Sequence, residues 1–329
     1  MLTASATRFG RFTDWDAKQS SLQAPLVASF DYDGTLQPEV LQVSRVVEGH
    51  PKKIAVIVNT GRELHCVKEI LPELGQMGRL NALFTSEGSQ CYLNTRNLPT
   101  REWISSLTPE QADPDWEQVI RDRTKWDEAL ATRALRSRLN ELTSSQLAIG
   151  EYNQALSYRD PLSGKSYPLS VLPIRQTPGF VLRSAESDAS PALLQAMQRM
   201  GKTIVESLAK TLREEGPHAA WSVMTNSPWA IVCKLAPEGV NKGTILDYFL
   251  RRHTTSPQRV ISAGDNLNDL PALERPQWEN TPATALVCGA NPDLRRALEG
   301  QAHVEFLSRT NETLAEGFRR ALDMRETRA

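Results

Sequence analysis

The sequence has 329 residues, 40% of them hydrophobic and 23% charged, so the chain can bury a large core and is long enough for two domains. The formal net charge is −1 and no polybasic or polyacidic run occurs, which gives no electrostatic attraction to nucleic acid or to an anionic membrane surface. No stretch approaches the roughly 20 apolar residues that span a bilayer. Small neutral or anionic ligands remain as the expected partners.

The cysteines and the N-terminal residues bear on the cellular compartment. The four cysteines lie far apart and form no Cys-x-x-Cys pair, which argues against a zinc ribbon and against a disulfide framework. They favour a reducing, cytoplasmic compartment. The N-terminal stretch MLTASATRFGRF is rich in Ser and Thr and contains Arg8 and Arg11, so an organellar transit peptide is the alternative to a simple tail over residues 1–24.

Two short apolar runs near the start of the chain predict strands that are buried in a parallel sheet. They cover residues 25–30 and 53–59, and each ends in polar or small residues. Strands of this kind are covered on both faces by helices, so they predict an α/β domain.

The middle of the chain, residues 89–236, has a different pattern. Residues 109–142 have the spacing of helices, residues 160–180 predict strands joined by long loops, and residues 191–213 predict another helix. Residues 220–237 predict a hairpin that turns near residues 226–228. We therefore expect residues 89–236 to form an inserted α+β cap domain.

The α/β pattern returns after the insert. Residues 259–264 and 283–291 predict two more buried strands, the second followed by a helix over 292–299 with Pro292 in its first turn. Residues 311–325 predict an amphipathic helix. We predict a Rossmann-like, parallel-sheet core formed by residues 25–88 and 237–329, with right-handed crossovers.

Two aspartates separated by one residue follow the first predicted strand, in SFDYDGTL. In extended backbone, residues i and i+2 point to the same side, so Asp31 and Asp33 are expected to face one cleft, with Gly34 turning the chain away. Repulsion between close carboxylates raises the proton affinity of one of them. One can then remain ionised as a nucleophile while the other transfers a proton.

Further polar residues follow the other predicted strands or the insert, and ligands bind at the carboxyl ends of strands in open α/β sheets. Asp265 and Asp269 would bring the number of acids at this edge to four. Such acids repel by roughly 4 kcal/mol per close pair at an effective dielectric of about 20, so the site requires a cation. Oxygen ligands without histidine or cysteine favour Mg²⁺, and Lys242 would supply further positive charge.

The same edge is suited to a phosphoryl group. Thr60 could donate its hydroxyl to a phosphoryl oxygen, and the N–H groups near Gly34 could donate as well. Residues Thr60, Gly61 and Arg62 are predicted to begin a helix, whose free N–H groups would bind an anion. Thr60 as a simple helix N-cap and Arg62 as a structural brace are the alternatives.

Four segments, DYDGTL, NTGR, the lysine of VNKG and GDNLNDL, resemble in this order the four motifs of the haloacid dehalogenase superfamily. The resemblance implies a Mg²⁺-dependent phosphomonoester hydrolase. In such an enzyme Asp31 attacks phosphorus to form an aspartyl-phosphate, and Asp33 protonates the leaving alkoxide and then activates water.

The resemblance also implies roles for the other site residues. Thr60 and Lys242 would hold the phosphoryl group, and Asp265 would complete the Mg²⁺ coordination with the Asp31 carboxylate and the Asp33 backbone carbonyl. Asn268 and Asp269 would support the site, and which of the two touches the metal varies within the superfamily.

The position of the insert, between the second and third motifs, resembles the subgroup that includes sucrose-phosphate phosphatase and the Cof-type sugar phosphatases. This implies a small phosphorylated metabolite, such as a sugar phosphate, as the substrate. In SEGSQCYL, Glu87 stands where that subgroup commonly has an asparagine.

Three other hypotheses remain open at this point. The aspartyl-phosphate could be passed to another hydroxyl by a phosphotransferase, or the site could bind phosphate in a regulatory protein without turnover. A receiver-like signalling domain fits less well, because its acid pair would be placed differently and it would have no cap. For Asp269 a purely structural role at a helix N-terminus is the alternative.

Overall fold

The computed structural model describes the following parts of the chain: residues 24–143, 154–159, 164, 166–173, 178–184, 190–227, 230–254, 257–275, 277–278, 281–289, 291–308 and 312–324. The expected N-terminal tail, with its transit-peptide alternative, lies almost entirely outside these residues. The chain divides into two compact units. Unit 1 runs to Glu117 and resumes at Gly239, and unit 2 is Gln118–Glu238.

The strands of the described residues are β1 (Leu26–Phe30), β2 (Ile54–Asn59), β3 (Ala82–Thr85), β4 (Gln90–Leu93), β5 (Gln154–Arg159), β6 (Ser166–Pro173), β7 (Gly179–Ser184), β8 (Ala219–Ser227), β9 (Ala230–Pro237), β10 (Arg259–Gly264), β11 (Gln277–Trp278), β12 (Thr281–Cys288) and β13 (Val304–Leu307). The α-helices are α1 (Val40–Gly49), α2 (Leu64–Glu69), α3 (Leu71–Leu74), α4 (Thr100–Ser106), α5 (Pro114–Thr124), α6 (Glu128–Thr143), α7 (Pro191–Glu215), α8 (Lys242–His253), α9 (Leu270–Leu273), α10 (Pro292–Leu298) and α11 (Leu314–Asp323). None of these helices is long and apolar enough to cross a membrane.

Unit 1 contains a mostly parallel sheet with the strand order β11-β12-β10-β1-β2-β3-β4, and β13 also pairs with β12. The strands from β12 to β3 run parallel, and β11 and β4 are antiparallel to their neighbours. β1, β2 and β10 are buried along their whole length, as expected for strands covered on both faces. The predicted α/β core is confirmed.

The central position of β1 determines where polar residues converge. Phe30 pairs in register with Val58 of β2 and with Ala263 of β10. The residues that follow these three parallel strands therefore leave the sheet at the same edge. Asp31 directly follows β1, and Thr60 directly follows β2.

One face of the sheet is closed by α1 and α11. Phe30 packs edge-to-face on Phe318 of α11, with ring centroids 5.0 Å apart. Both rings are fully buried, and such aromatic pairs contribute about 0.5–1.5 kcal/mol beyond the buried area. The packing fixes β1 immediately before Asp31.

Unit 2 contains an antiparallel sheet with the order β5-β6-β7-β9-β8. Its apolar core lies between this sheet and the helices α6 and α7. The additional antiparallel α+β module is thus confirmed. The predicted hairpin consists of β8 and β9, and residues 228–229 of its turn lie outside the described residues.

The N-terminal limit of the insert differs from the sequence-based division, which placed it at residue 89. β4 pairs with β3, with Phe84 opposite Cys91, and the side chains of Cys91 and Tyr92 are buried. Residues 89–117 therefore belong to unit 1. The apolar residues of β4 complete the edge of the first sheet. The local sequence pattern does not distinguish such an edge strand from the first strand of a new sheet.

The cysteines are free thiols, as expected, with Cys91, Cys233 and Cys288 buried and Cys66 partly exposed. Burial raises the pKa of the Cys91 thiol. These buried thiols act as small apolar residues of the two cores.

A buried polar network fixes α8 to the segment that leaves unit 1. The hydroxyl of Tyr248 donates to Asp113 Oδ2 at 2.6 Å, and His253 Nε2 lies 3.2 Å from the same oxygen. Nearby, the indole N–H of Trp116 donates to the carbonyl of Gly88 at 3.0 Å. Burial alone would raise the pKa of Asp113, but the hydrogen bonds with His253 and Tyr248 outweigh it and lower that pKa. The network therefore favours the ionised carboxylate.

We expect Asp113→Asn to lower the free energy of unfolding by about 1.5–3 kcal/mol at pH 7, the range for a hydrogen bond to a charged group. Because the folded pKa lies below the ordinary value of about 3.9, the contribution is complete above that pH and is lost as pH falls through the lowered pKa. Denaturant unfolding of both proteins from pH 7 to pH 3 measures it. The exposed Glu299→Gln is the control. If the difference in unfolding free energy between the wild type and Asp113→Asn does not shrink at low pH, the prediction is contradicted.

Candidate active site

The side chain of Lys242 lies at the centre of the polar residues that converge on the sheet edge. Its Nζ donates to Asp31 Oδ1 and to Asp269 Oδ1, each at 2.6 Å. The lysine side chain is only 2% exposed. The two ion pairs connect the first residue of α8 to the end of β1 and to the segment that follows β10.

Local sequence explains why α8 begins at this lysine. The side chain of Asn241 accepts hydrogen bonds from the N–H groups of Gly243 and Thr244, and the Thr244 hydroxyl accepts from the Asn241 N–H. This reciprocal cap is a strong helix start signal. Asn59, the last residue of β2, donates its side-chain amide to the Lys242 carbonyl at 2.9 Å. The cap and this bond hold the lysine backbone against the sheet.

The buried charges in this cluster depend on one another. Burial alone would lower the pKa of Lys242, but the carboxylates of Asp269 and Asp31 outweigh it, and the pKa is raised. Burial raises the pKa of Asp31, with Lys242 acting in the opposite direction and the nearby Asp269 adding to the increase. The lysine thus remains an ammonium, and a further cation would favour the ionised form of Asp31.

Three carboxylates lie close enough together to hold a divalent cation. Oxygens of Asp31, Asp265 and Asp269 all lie within 4.8 Å of one another. The Thr35 hydroxyl donates to Asp265 Oδ1 at 3.3 Å. Gly34 has φ +72°, and a Cβ at this position would lie 2.3 Å from Asp265 Oδ2, so a glycine is needed for this close approach. Hard oxygen donors in this number fit Mg²⁺.

Asp269 differs from the other two acids because both of its oxygens are already used by the protein. Oδ1 accepts from Lys242, and Oδ2 accepts from the N–H groups of Asp265 and Asn266 at 2.9 and 3.0 Å. The residue braces the segment that presents Asp265. Asp31 and Asp265 are therefore the carboxylates that would hold the ion, with Asp269 in support.

Asp33 lies outside this cluster and is paired with Arg62. Arg62 Nε donates to Asp33 Oδ2 at 2.8 Å and its Nη2 donates to Oδ1 at 2.5 Å. The Asp33 side chain is 47% exposed, whereas Asp31 is buried. The backbone turns at Tyr32–Leu36, so the alternation of an extended strand does not continue from Asp31 to Asp33. The Arg62 guanidinium also lies 5.8 Å from the centre of the Tyr32 ring.

Thr60 is fully buried directly after β2, and its hydroxyl accepts from the Arg62 N–H at 3.2 Å. The prediction that a helix begins at Thr60 is wrong, because α2 begins at Leu64. The Arg62 carbonyl instead accepts from the Ser86 N–H at 2.9 Å. This bond ties the segment to the residues after β3, and Thr60 is not an N-cap.

Glu87 is a site residue that the sequence motifs did not assign. The Asn268 amide donates to both of its carboxylate oxygens, at 3.2 and 3.1 Å. A Cβ on Gly61 would lie 2.1 Å from Glu87 Oε1. The only signal in the sequence was that Glu87 stands where the resembled subgroup commonly has an asparagine. The Oδ1 atom of Asn268 is buried and has no hydrogen-bond partner within the described part of the chain.

Part of the chain matches a known protein family. Residues 185–278 match the haloacid dehalogenase-like hydrolase family, and the matched segment contains Lys242, Asp265 and Asp269. The fold is similar to that of YhjK, a haloacid dehalogenase-like hydrolase protein from Bacillus subtilis. The TM-score is 0.50 at 15% identity, covering 92% of this chain and 93% of that one. The match over residues 185–278 supports the haloacid dehalogenase family that the motifs predict.

The predicted family and enzyme type agree with this match. Two structures from Bacteroides thetaiotaomicron are also similar. BT1666, described as a phosphatase of the superfamily, has 12% identity and a TM-score of 0.42, covering 91% of this chain and 94% of that one. A haloacid dehalogenase-like hydrolase has 14% identity and a TM-score of 0.43, covering 89% and 98%. No curated protein matches the sequence.

The two ion pairs of Lys242 predict a specific pattern of stability changes. We expect Lys242→Met to lower the free energy of unfolding by about 3–5 kcal/mol, because it leaves two buried carboxylates unpaired. In the double variant with Asp269→Asn one of these charges is gone, so the loss should be smaller than the sum of the two single losses.

Denaturant unfolding without added divalent cation measures this double-mutant cycle. The exposed Lys53→Met removes the same charge type elsewhere in unit 1 and is the control. Additive losses would show that the two side chains do not interact energetically.

Proposed function

We propose that the protein is a Mg²⁺-dependent phosphomonoester hydrolase that acts on a small phosphorylated metabolite through an aspartyl-phosphate intermediate. The observation that carries the proposal is the buried ammonium of Lys242, held by Asp31 and Asp269 beside Asp265 at the end of β1. A superfamily member needs these charges to stabilise a transferring phosphoryl group.

Asp31 is the proposed nucleophile. Its Oδ1 accepts from Lys242, which holds the carboxylate in one orientation. A carboxylate oxygen attacks phosphorus, the phosphorus–oxygen bond of the ester breaks, and an acyl phosphate forms on Asp31. Water then attacks the phosphorus of this intermediate, which releases inorganic phosphate and restores the carboxylate.

Asp33 is the proposed acid and base. It gives a proton to the leaving alkoxide in the first step and takes one from water in the second, so its protonation state is restored after each turnover. In the structure its carboxylate is paired with Arg62. Productive proton transfer therefore requires that Asp33 exchanges this partner for the substrate, and its partial exposure is compatible with such movement.

Thr60, Gly61 and Lys242 are the proposed phosphoryl-binding residues, since they lie at the ends of β2 and the start of α8 beside Asp31. Asp31, Asp265 and the backbone carbonyl of Asp33 would hold Mg²⁺. When bound, the ion would neutralise charge on the phosphoryl oxygens and on the carboxylates. Lys242 helps to neutralise the same negative charges whether or not the ion is present.

The substrate class is inferred from the sequence. The insert lies between the second and third motifs, as in the subgroup of sugar phosphatases that it resembles, so a sugar phosphate in the cytoplasm is the first candidate. A screen of phosphorylated sugars, polyols and nucleotides, ranked by kcat/KM, would identify the substrate. Product analysis with and without an acceptor sugar distinguishes hydrolysis from phosphotransfer.

We expect Asp31→Asn to reduce Mg²⁺-dependent phosphate release from an aryl phosphate by at least about 10⁴-fold, because an amide is not a nucleophile at phosphorus. The exposed Asp293→Asn is the matched control and should retain full activity. Phosphate release is followed colorimetrically with Mg²⁺ and with a chelator. Activity retained by Asp31→Asn would rule out the proposed intermediate.

The acid role of Asp33 predicts a dependence on the leaving group. We expect Asp33→Asn to lower kcat/KM about 10²–10⁴-fold for an alkyl phosphate, whose alkoxide needs a proton, and much less for p-nitrophenyl phosphate, whose phenolate does not. The comparison uses kcat/KM because this quantity reports departure of the leaving group and not the later attack of water, which both esters share. Steady-state kinetics with both substrates measures the difference. Equal losses on the two esters would show that Asp33 is needed for another reason.

A further inference from the structure

Glu87 connects three of the four motif segments and has no part in the reaction described above. Its carboxylate accepts from Asn268, lies against the Cα of Gly61 and is close enough to Lys242 to add to the increase of the lysine pKa. Because these three residues belong to or adjoin the phosphoryl site, Glu87 places a negative charge at the edge of that site.

The backbone indicates that this placement is specific. Glu87 has φ +58° and ψ 31°, the left-handed region in which asparagine and aspartate are several-fold enriched among residues other than glycine. Its side chain also requires a glycine at position 61, since a Cβ there would lie 2.1 Å from Oε1. Asparagine would suit the backbone better, but it would carry no charge.

We propose that Glu87 is a specificity-determining residue that limits the affinity of the phosphoryl site for phosphate dianions. The inference rests on the proposed function, since it concerns the same site. A carboxylate beside Gly61 and Lys242 repels an anion that binds there. Both the phosphate ester and the product phosphate then bind less tightly than the lysine and the neighbouring N–H groups alone would allow.

This charge acts on ground-state binding. Inorganic phosphate has to leave before the next turnover, and an acid at the edge of its site speeds that release, while the ester binds with a higher KM. Removal of the charge should therefore lower KM and the inhibition constant for phosphate together, with kcat unchanged or reduced by slower product release.

We expect Glu87→Gln to lower the inhibition constant of inorganic phosphate and the KM of an aryl phosphate by about tenfold each, the change that 1.4 kcal/mol corresponds to. Gln retains an oxygen that accepts from Asn268, so the local hydrogen bonding is kept. Glu87→Asn should give a similar change, and Glu87→Asp, which keeps the charge, should remain within about threefold of the wild type. Glu299→Gln is the matched control for loss of an exposed charge in unit 1.

Direct binding supplies a readout that does not depend on turnover. Titration calorimetry of inorganic phosphate is carried out on the wild type, Glu87→Gln and Glu87→Asp, with and without Mg²⁺. Tighter binding by the Gln variant alone supports the proposal. Because asparagine suits the left-handed backbone at position 87, the melting temperature of Glu87→Asn should equal or exceed that of the wild type. Measuring it checks that the variant is folded.

The outcomes separate the two proposals. If the wild type releases phosphate from esters but Glu87→Gln has an unchanged phosphate affinity, the role of Glu87 is wrong and the proposed function stands. If neither protein binds phosphate nor hydrolyses an ester, both are overturned. If Glu87→Asp, which keeps the charge, binds phosphate as tightly as Glu87→Gln, the charge does not limit affinity, which also contradicts the inference.

Discussion

The buried ammonium of Lys242 is the interaction on which the rest of the site depends. Burial of a charge in a protein interior costs several kcal/mol, and the cost is offset only when the partners have good geometry. Lys242 meets this condition with two carboxylates at 2.6 Å, one from the end of β1 and one from the segment after β10. The site is thus part of what connects α8 to the parallel sheet, and its chemistry and its stability share the same charges.

Glycines next to the motif acids allow these charges to approach the backbone. A Cβ at Gly34 would collide with the Asp265 carboxylate, one at Gly61 with Glu87, and one at Gly264 with Asp269. Each of these glycines directly follows or precedes a residue of the site. The absence of side chains at these positions lets the acids lie against the main chain, where they reach N–H groups, hydroxyls or the lysine.

Sequence reasoning predicted the features that depend on local pattern. Runs of apolar residues identified β1, β2 and β10 because strands buried on both faces are apolar throughout, and the motif residues Asp31, Lys242 and Asp269 were found because they directly follow such runs or match known spacing. The structure shows these three in contact.

The remaining features depend on contacts between distant residues. The Arg62 pair with Asp33 spans 29 residues and the Asn268 bond to Glu87 spans 181, and no periodicity records which long side chain meets which. The same holds for β4, whose short apolar segment fits either unit until its pairing with β3 is known. The start of α2 was misplaced because Thr60 looks like an N-cap, whereas its segment is tied to the residues after β3.

The charge count around Lys242 has an evolutionary consequence. A chain that lost Lys242 first would keep two carboxylates buried without their cation, and a marginally stable protein rarely tolerates such a change. A chain that lost the charge of Asp31 first would keep a neutral pair between Lys242 and Asp269. Relatives that have given up catalysis but still bind phosphate should therefore have arisen through changes at Asp31, with the lysine retained.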